Sequence, residues 1–257
     1  MGARIVTLIA ETGGIELAGA VERRGHPWIG RDAGEGLGLG RMGVLIGDDL
    51  AACIEQGDVV IDFTAHDVSA GHLEIAARKG KAIVIGSTGF TSQEMARARE
   101  LAGSLPCVIA PNMSVGVNVL FKVLADVAGI LGGDYDVEIV ETHHRLKKDA
   151  PSGTALRMAQ VIAESLGRDL EKVGVYSRRG MIGERTGQEI GIQTLRAGDI
   201  VGEHTVIFGG MGERVEFTHR AHSRDNFARG AIRAALWVVG RPNCLYDMQD
   251  VLGLREG

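Results

Sequence analysis

The chain has 257 residues, 45% of them hydrophobic and 24% charged, enough for one large or two modest cores of an ordinary folded enzyme. A formal net charge of −5 argues against a nucleic-acid surface, and the apolar stretches read as far shorter than a membrane span, with no signal peptide ahead of them. Three widely spaced cysteines, Cys53, Cys107 and Cys244, odd in number, read as reduced thiols of a cytoplasmic protein.

In chain order, residues 3–12 read as a helix and 15–21 as a strand. The Gly-rich stretch 30–43 reads as a loop, followed by a helix around 49–56. Buried, parallel-type strands are expected at 59–63 and 82–85, with a helix over 68–79 between them. Residues 92–103 read as helical and 107–110 as a further strand. This alternation predicts a doubly wound sheet. After Asn112 the pattern changes. A long helix over 116–130 leads to a short strand through Val137, Ile139 and Val140. Pro151 and Ser152 then open a helix whose Ala155, Leu156, Met158, Ala159, Ile162 and Leu166 recur at helical spacing. Segments 189–195, 204–208 and 215–219 read as mostly antiparallel strands, two of them joined by Gly209-Gly210-Met211-Gly212. The last helix, 226–239, has the apolar content to pack back on the first domain.

The chemistry concentrates between 138 and 155, EIVETHHRLKKDAPSGTA. The strand delivers Thr142, His143 and His144 to its end, and the cations Arg145, Lys147 and Lys148 follow. The backbone N–H groups of Gly153 and Thr154 open the next helix, where an anion is favoured. Alone, a His-His pair reads as surface decoration and Ser-Gly-Thr as a cap. No metal site is expected, because adjacent histidines project differently and no third ligand stands at a useful spacing. Together the elements offer two anion sites with an imidazole between them, which suits a small dicarboxylate.

The stretch resembles the active-site motif of the 4-hydroxy-tetrahydrodipicolinate reductase (dihydrodipicolinate reductase) family, E-x-H-H-x-x-K-x-D-A-P-S-G-T-A, set here at residues 141–155. Similar stretches are VIDFT at 60–64, VIGSTGF at 84–90, APNMSVGVN at 110–118, RAGDIVGEH at 196–204 and the closing LYDMQDVL, so the likeness covers nearly the whole chain. It implies a Rossmann-type doubly wound parallel sheet, with the family's first strand absent, plus an α+β substrate and oligomerisation domain with a mainly antiparallel or mixed sheet. The implied domains are 1–114 with 224–257 for the dinucleotide and 115–223 for substrate and tetramer contacts. No membrane or nucleic-acid partner is implied.

A GxGxxG string stands at Gly38, Gly40 and Gly43, but no strand leads into it and Val44-Leu45-Ile46 after it reads as strand, so it is a decoy. The family's own fingerprint, a first strand and G-x-x-G-R-M-G, is matched only by Met1-Gly2, and the natural protein is expected to extend upstream. For the cofactor, NADPH or NADH, the resemblance points to Met1, to Glu22 on the ribose hydroxyls and to Arg23 toward a 2′-phosphate. It also points to two strand-end loops, Gly86, Ser87 and Thr88, and Ala110, Pro111, Asn112 and Met113, although Met113 by itself reads as core. His143 is implied as proton donor and acceptor, Lys147 as a proton donor, and His144, Gly153 and Thr154 as substrate contacts. An aspartate or homoserine dehydrogenase would share the Rossmann half but lack the H-H-x-x-K…S-G-T run. A non-catalytic oligomeric binding protein that lost its cofactor loop is the other alternative.

Overall fold

The computed structural model describes residues 1–255. The chain forms two compact units, one of Met1–Val115 together with the chain from Asp225 onward, the other of Gly116–Arg224. Helix α1 (Gly2–Glu11) buries Ile5, Leu8 and Ile9 on one face. Strand β1 is only Ala20–Val21, paired in parallel with β2 (Ile46–Gly47) as a two-stranded sheet. The strand expected over 15–21 is therefore cut to its last two residues. Residues 15–19 enter no ladder, and Ile15 and Leu17 are satisfied by packing on the Ile5, Leu8 and Ile9 cluster.

The alternation then follows the expected order: α2 (Leu50–Cys53), β3 (Val59–Asp62), α3 (His66–Lys79), β4 (Ala82–Ile85), α4 (Ser92–Leu101) and β5 (Pro106–Ile109). The signals that fix it are local. Asp49 caps α2 through the Ala51 N–H, and Thr91 and Glu94 make a reciprocal capping box on α4.

In the second unit, α5 (Val115–Leu131) precedes β6 (Asp136–His143), α6 (Gly153–Ser165), α7 (Leu170–Val173), β7 (Gly174–Val175), β8 (Ile190–Arg196), β9 (Gly202–Gly209) and β10 (Arg214–Ala221). The sheet order is β10-β9-β6-β8-β7. β9 and β10 are antiparallel to their neighbours, as expected, whereas β8 runs parallel to β6. The helical crossover through α6 brings the chain back in the same direction, which a tight hairpin cannot do. Val137, Ile139, Ile192, Val206 and Phe208 pack with Phe121, Leu124, Met158 and Ile162 as the core. Contrary to the expectation of short apolar runs, Val115–Asp134 is long and apolar enough for a membrane span by length and composition alone. Val117, Phe121, Leu124 and Ala128 of this helix are nonetheless buried in that core.

The chain returns to the first unit through α8 (Asp225–Val238), β11 (Cys244–Tyr246) and α9 (Met248–Leu252). β11 extends an all-parallel sheet ordered β11-β5-β4-β3. Helix α8 packs Ala231, Ala234, Ala235 and Val238 with Val84 and Val108 of that sheet. A Cβ on Gly230 would lie 1.7 Å from the Met113 carbonyl oxygen, so only glycine lets α8 pass there.

Candidate functional site

β6 alternates inward Val137, Ile139 and Glu141, and the third of these is a carboxylate with no exposed surface. The ladder aligns it with Thr194 of β8 and His204 of β9, and His204 with His219 of β10, a polar row across four strands. Glu141 is saturated by donors. Oε1 accepts from the Ser152 backbone N–H (3.0 Å), the Thr194 hydroxyl (3.2 Å) and Arg196 Nη2 (3.0 Å). Oε2 accepts from Arg196 Nη1 (2.9 Å) and lies 2.6 Å from His143 Nδ1. Burial pushes this carboxyl up, but the His143, Arg196 and Ser152 donors outweigh burial and hold it down at about 2. An ionised carboxylate only accepts, so the proton of the contact sits on His143 Nδ1, leaving Nε2 as the other ring nitrogen. Nε2 lies over Gly202, where an added Cβ would approach it to 2.9 Å.

The serine that donates its amide to Glu141 also caps α6. Ser152 Oγ accepts from the Ala155 N–H (3.2 Å) and lies 3.0 Å from His204 Nε2, so strand β6, strand β9 and the start of α6 are joined through one residue. The His204 ring meets His143 edge-on at 5.2 Å. Gly153 and Thr154 form the first turn of α6, whose amides look out along the helix axis. An added Cβ on the exposed Gly153 would meet nothing within 4 Å. Lys147 Nζ contacts both oxygens of Asp149 at 2.9 Å, so the expected proton donor is ion-paired on its own turn. His144 is half-buried on that turn and its carbonyl accepts from the Lys147 N–H (3.1 Å). Arg145 and Lys148 are exposed. Thus His143, Lys147, His144, Gly153 and Thr154 all lie in one unit, around the β6 end and the α6 start.

The cofactor candidates lie in the other unit. Glu22 and Arg23 are exposed just past β1, with the Arg23 N–H donating to Glu22 Oε1 (2.7 Å). Gly86, Ser87 and Thr88 follow β4, and Ala110 to Met113 follow β5, at the carboxyl ends of parallel strands where nucleotides bind. The residues of these loops divide in two. Thr88 and Pro111 are exposed, whereas Ala110 and Met113 are core at 1% exposure and Ser87 is turned inward. Ala110, Met113 and Ser87 therefore offer backbone groups rather than side chains to a ligand. Met1 packs beside the Ile5 cluster as the residue ahead of α1.

The decoy loop has its own anion. Gly34, Met42 and Gly43 donate backbone N–H groups to the Asp32 carboxylate at 2.9, 3.0 and 2.7 Å, and the Met42 bond foremost keeps that carboxyl below its usual range. Those amides are spent on a side chain rather than a phosphate. Among the described residues no group of three His, Cys, Asp or Glu is placed to hold a metal.

Comparison with known proteins decides the lineage. Residues 1–113 match the family model for dihydrodipicolinate reductase, N-terminus, and 116–252 that for its C-terminus. The 4-hydroxy-tetrahydrodipicolinate reductase of Syntrophus aciditrophicus is 66% identical over 256 residues, 100% of this chain and 96% of the relative. The chain belongs to the dihydrodipicolinate reductase family. That of Citrifermentans bemidjiense is 64% identical, over 99% of this chain and 96% of the relative. The fold is also that of a dipicolinate-bound dihydrodipicolinate reductase from Paenisporosarcina (TM-score 0.73, 24% identity, 97% and 94% of the two chains). This member of the reductase family is accordingly an oxidoreductase with a nucleotide-binding N-terminal half.

Sequence reasoning gave Glu141, Thr194, Arg196 and His204 no role and Ser152 only that of a helix cap, although all but Thr194 stand in the quoted motifs. The available signal was alternation, since a charged residue in the inward register of a buried strand needs partners. The network also sets a pH response in this reductase family member. Burial, and then the charge of His143, depress His204 from 6.5 to about 3, and His219 shifts the same way by burial. As pH falls below 6.5 the unfolded chain takes up the His204 proton and the folded chain does not, so stability declines. Glu141, at about 2 against an ordinary 4.5, adds a second decline below 4.5 for the same reason. Thermal midpoints near about pH 7 and about pH 5 should differ in the native chain, and differ clearly less in His204→Asn.

Proposed function

We propose that this chain reduces (2S,4S)-4-hydroxy-2,3,4,5-tetrahydrodipicolinate to (S)-2,3,4,5-tetrahydrodipicolinate with loss of water, in diaminopimelate and lysine biosynthesis, with NADPH or NADH as hydride donor. The observation that carries the residue assignment is the 2.6 Å contact of the buried, ionised Glu141 with His143 Nδ1 beside the N-terminus of α6. A dicarboxylate is held by backbone amides of Gly153 and Thr154, with His144 alongside. Loss of the 4-hydroxyl with a neighbouring ring hydrogen as water leaves a conjugated ring, to which the dihydronicotinamide, when bound, would supply a hydride. Negative charge then develops toward the ring nitrogen, and His143 Nε2 and Lys147 supply cationic donors and the proton there. Glu141 keeps the imidazole oriented. Asp149 holds the Lys147 ammonium within the same turn.

For the cofactor, Glu22 receives the adenosine ribose hydroxyls and Arg23 a 2′-phosphate if one is present. The backbone of Gly86 to Thr88 and of Ala110 to Asn112 lines the nicotinamide side. The free, unpaired state of Cys53, Cys107 and Cys244 supports a reducing, cytoplasmic setting. Exposed Leu195, with half-buried Val140 and Ile207, supports assembly of a homotetramer through the second unit's sheet.

The test is oxidation of NADPH and NADH by this chain, with substrate generated from pyruvate and aspartate semialdehyde by the preceding synthase. Turnover inhibited competitively by dipicolinate is expected. Dipicolinate binding without turnover or cofactor binding would instead favour a binding protein of the same fold.

A further inference from the structure

The first unit contains a second buried carboxylate–imidazole pair. Asp62, the last residue of β3, has a side chain 1% exposed, and its Oδ2 lies 2.6 Å from His72 Nδ1. Its Oδ1 accepts from the Thr64 backbone N–H (2.8 Å) and the Thr64 hydroxyl (2.7 Å). The Ser69 hydroxyl, fully buried in the first turns of α3, sits 3.0 Å from the same Oδ1 and 2.8 Å from Ser87 Oγ. Burial drives the Asp62 carboxyl up, but His72 and Thr64 reverse this and leave it below its usual range. It is thus an ionised anchor with no solvent to share it.

The far end of this chain of groups is the loop after β4. That loop is also held by the Gly86 N–H, which donates to the Asp62 carbonyl (2.8 Å), and by the Phe63 ring, which lies where a Gly86 Cβ would stand, at 2.4 Å. With Ser87 pinned inward at 6% exposure, its neighbours Thr88 and Gly89 are the residues left exposed. A buried serine linked to an ionised carboxylate fixes the loop's backbone in a way that an apolar residue at 69 or 87 would not.

We propose that Asp62 and Ser69 are positioning residues for cofactor binding, acting through Ser87 to hold the backbone of Gly86 to Gly89 in its binding conformation. The inference rests on the assignment of this loop to the nicotinamide cofactor. Ser87 is on this reading an anchor of the loop rather than a ligand contact.

The test is a double-mutant cycle of Ser69→Ala and Ser87→Ala, with the dissociation constants of NADPH and NADH followed by nicotinamide fluorescence and folding followed by thermal denaturation. Loss of one net hydrogen bond predicts that Ser69→Ala weakens cofactor binding about fivefold, while the same change adds nothing once Ser87 is alanine. Faster backbone hydrogen exchange at residues 86–89 should accompany the single substitution. Two results overturn the proposal with the cofactor assignment intact: unchanged cofactor affinity in Ser69→Ala, or an equal loss in both backgrounds. If the native chain itself binds neither nucleotide, the cofactor assignment fails first and the proposal with it.

Discussion

Replacing His143 by glutamine should lower kcat for the reduction about 100-fold or more while moving KM by less than about threefold. The reason is the division of labour around β6. His143 Nδ1 is committed to Glu141, so the ring contributes one nitrogen to chemistry, and a glutamine amide at that place neither carries a positive charge nor transfers a proton. The carboxylate-binding amides at the start of α6 are untouched by the substitution, which is why binding should survive. Steady-state kinetics across pH check this. A mutant with raised KM and native kcat would make His143 a binding residue only and move the proton donor elsewhere, with Lys147 the next candidate.

Replacing Glu141 by glutamine should cost both stability and activity. Glu141 ends a buried charge network in which Arg196 donates to both of its oxygens, and Arg196 also donates to the Asp149 carbonyl (2.7 Å). Removing one partner of a buried pair leaves an uncompensated charge and costs about 3 kcal/mol or more. The glutamine amide also loses the charge that fixes the His143 tautomer, and a drop in kcat of about 10-fold to 100-fold is expected beyond what unfolding explains. Thermal denaturation beside kinetics at a temperature where the variant is folded separates the two effects. Unchanged kcat in a folded Glu141→Gln would show that His143 needs no carboxylate behind it.

The two units share this device. Each places a buried carboxylate at or near the end of a strand, 2.6 Å from a histidine Nδ1, with a nearby serine that ties it to the first turns of a helix. In the second unit the imidazole reaches the proposed chemistry directly. In the first the imidazole holds one oxygen of the carboxylate, and a serine relay from the other carries the influence to the loop.

The amino-acid sequence by itself determined the elements whose reasons are local. A continuous apolar run flanked by turns gave β4 at its observed residues, and the helical segments gave the helix starts to within a few residues, where the structure finds caps at Asp49, Thr91 and Ser152. It also determined the His143 to Thr154 cluster, since a strand end and the next helix start lie within a dozen residues of one another. Residues 15–19 read as strand because alternation reports the side chains, whereas a ladder needs a neighbour that only the tertiary structure assigns. The parallel direction of β8 was likewise decided by the path of the α6 crossover. Cross-strand partners were beyond reach for the same reason. Thr194, Glu141 and His204 stand far apart in the chain, and only the register of β8, β6 and β9 sets them side by side. That Ser87 turns in to Ser69 while Thr88 turns out was fixed by burial against α3, a packing choice no spacing along one strand contains.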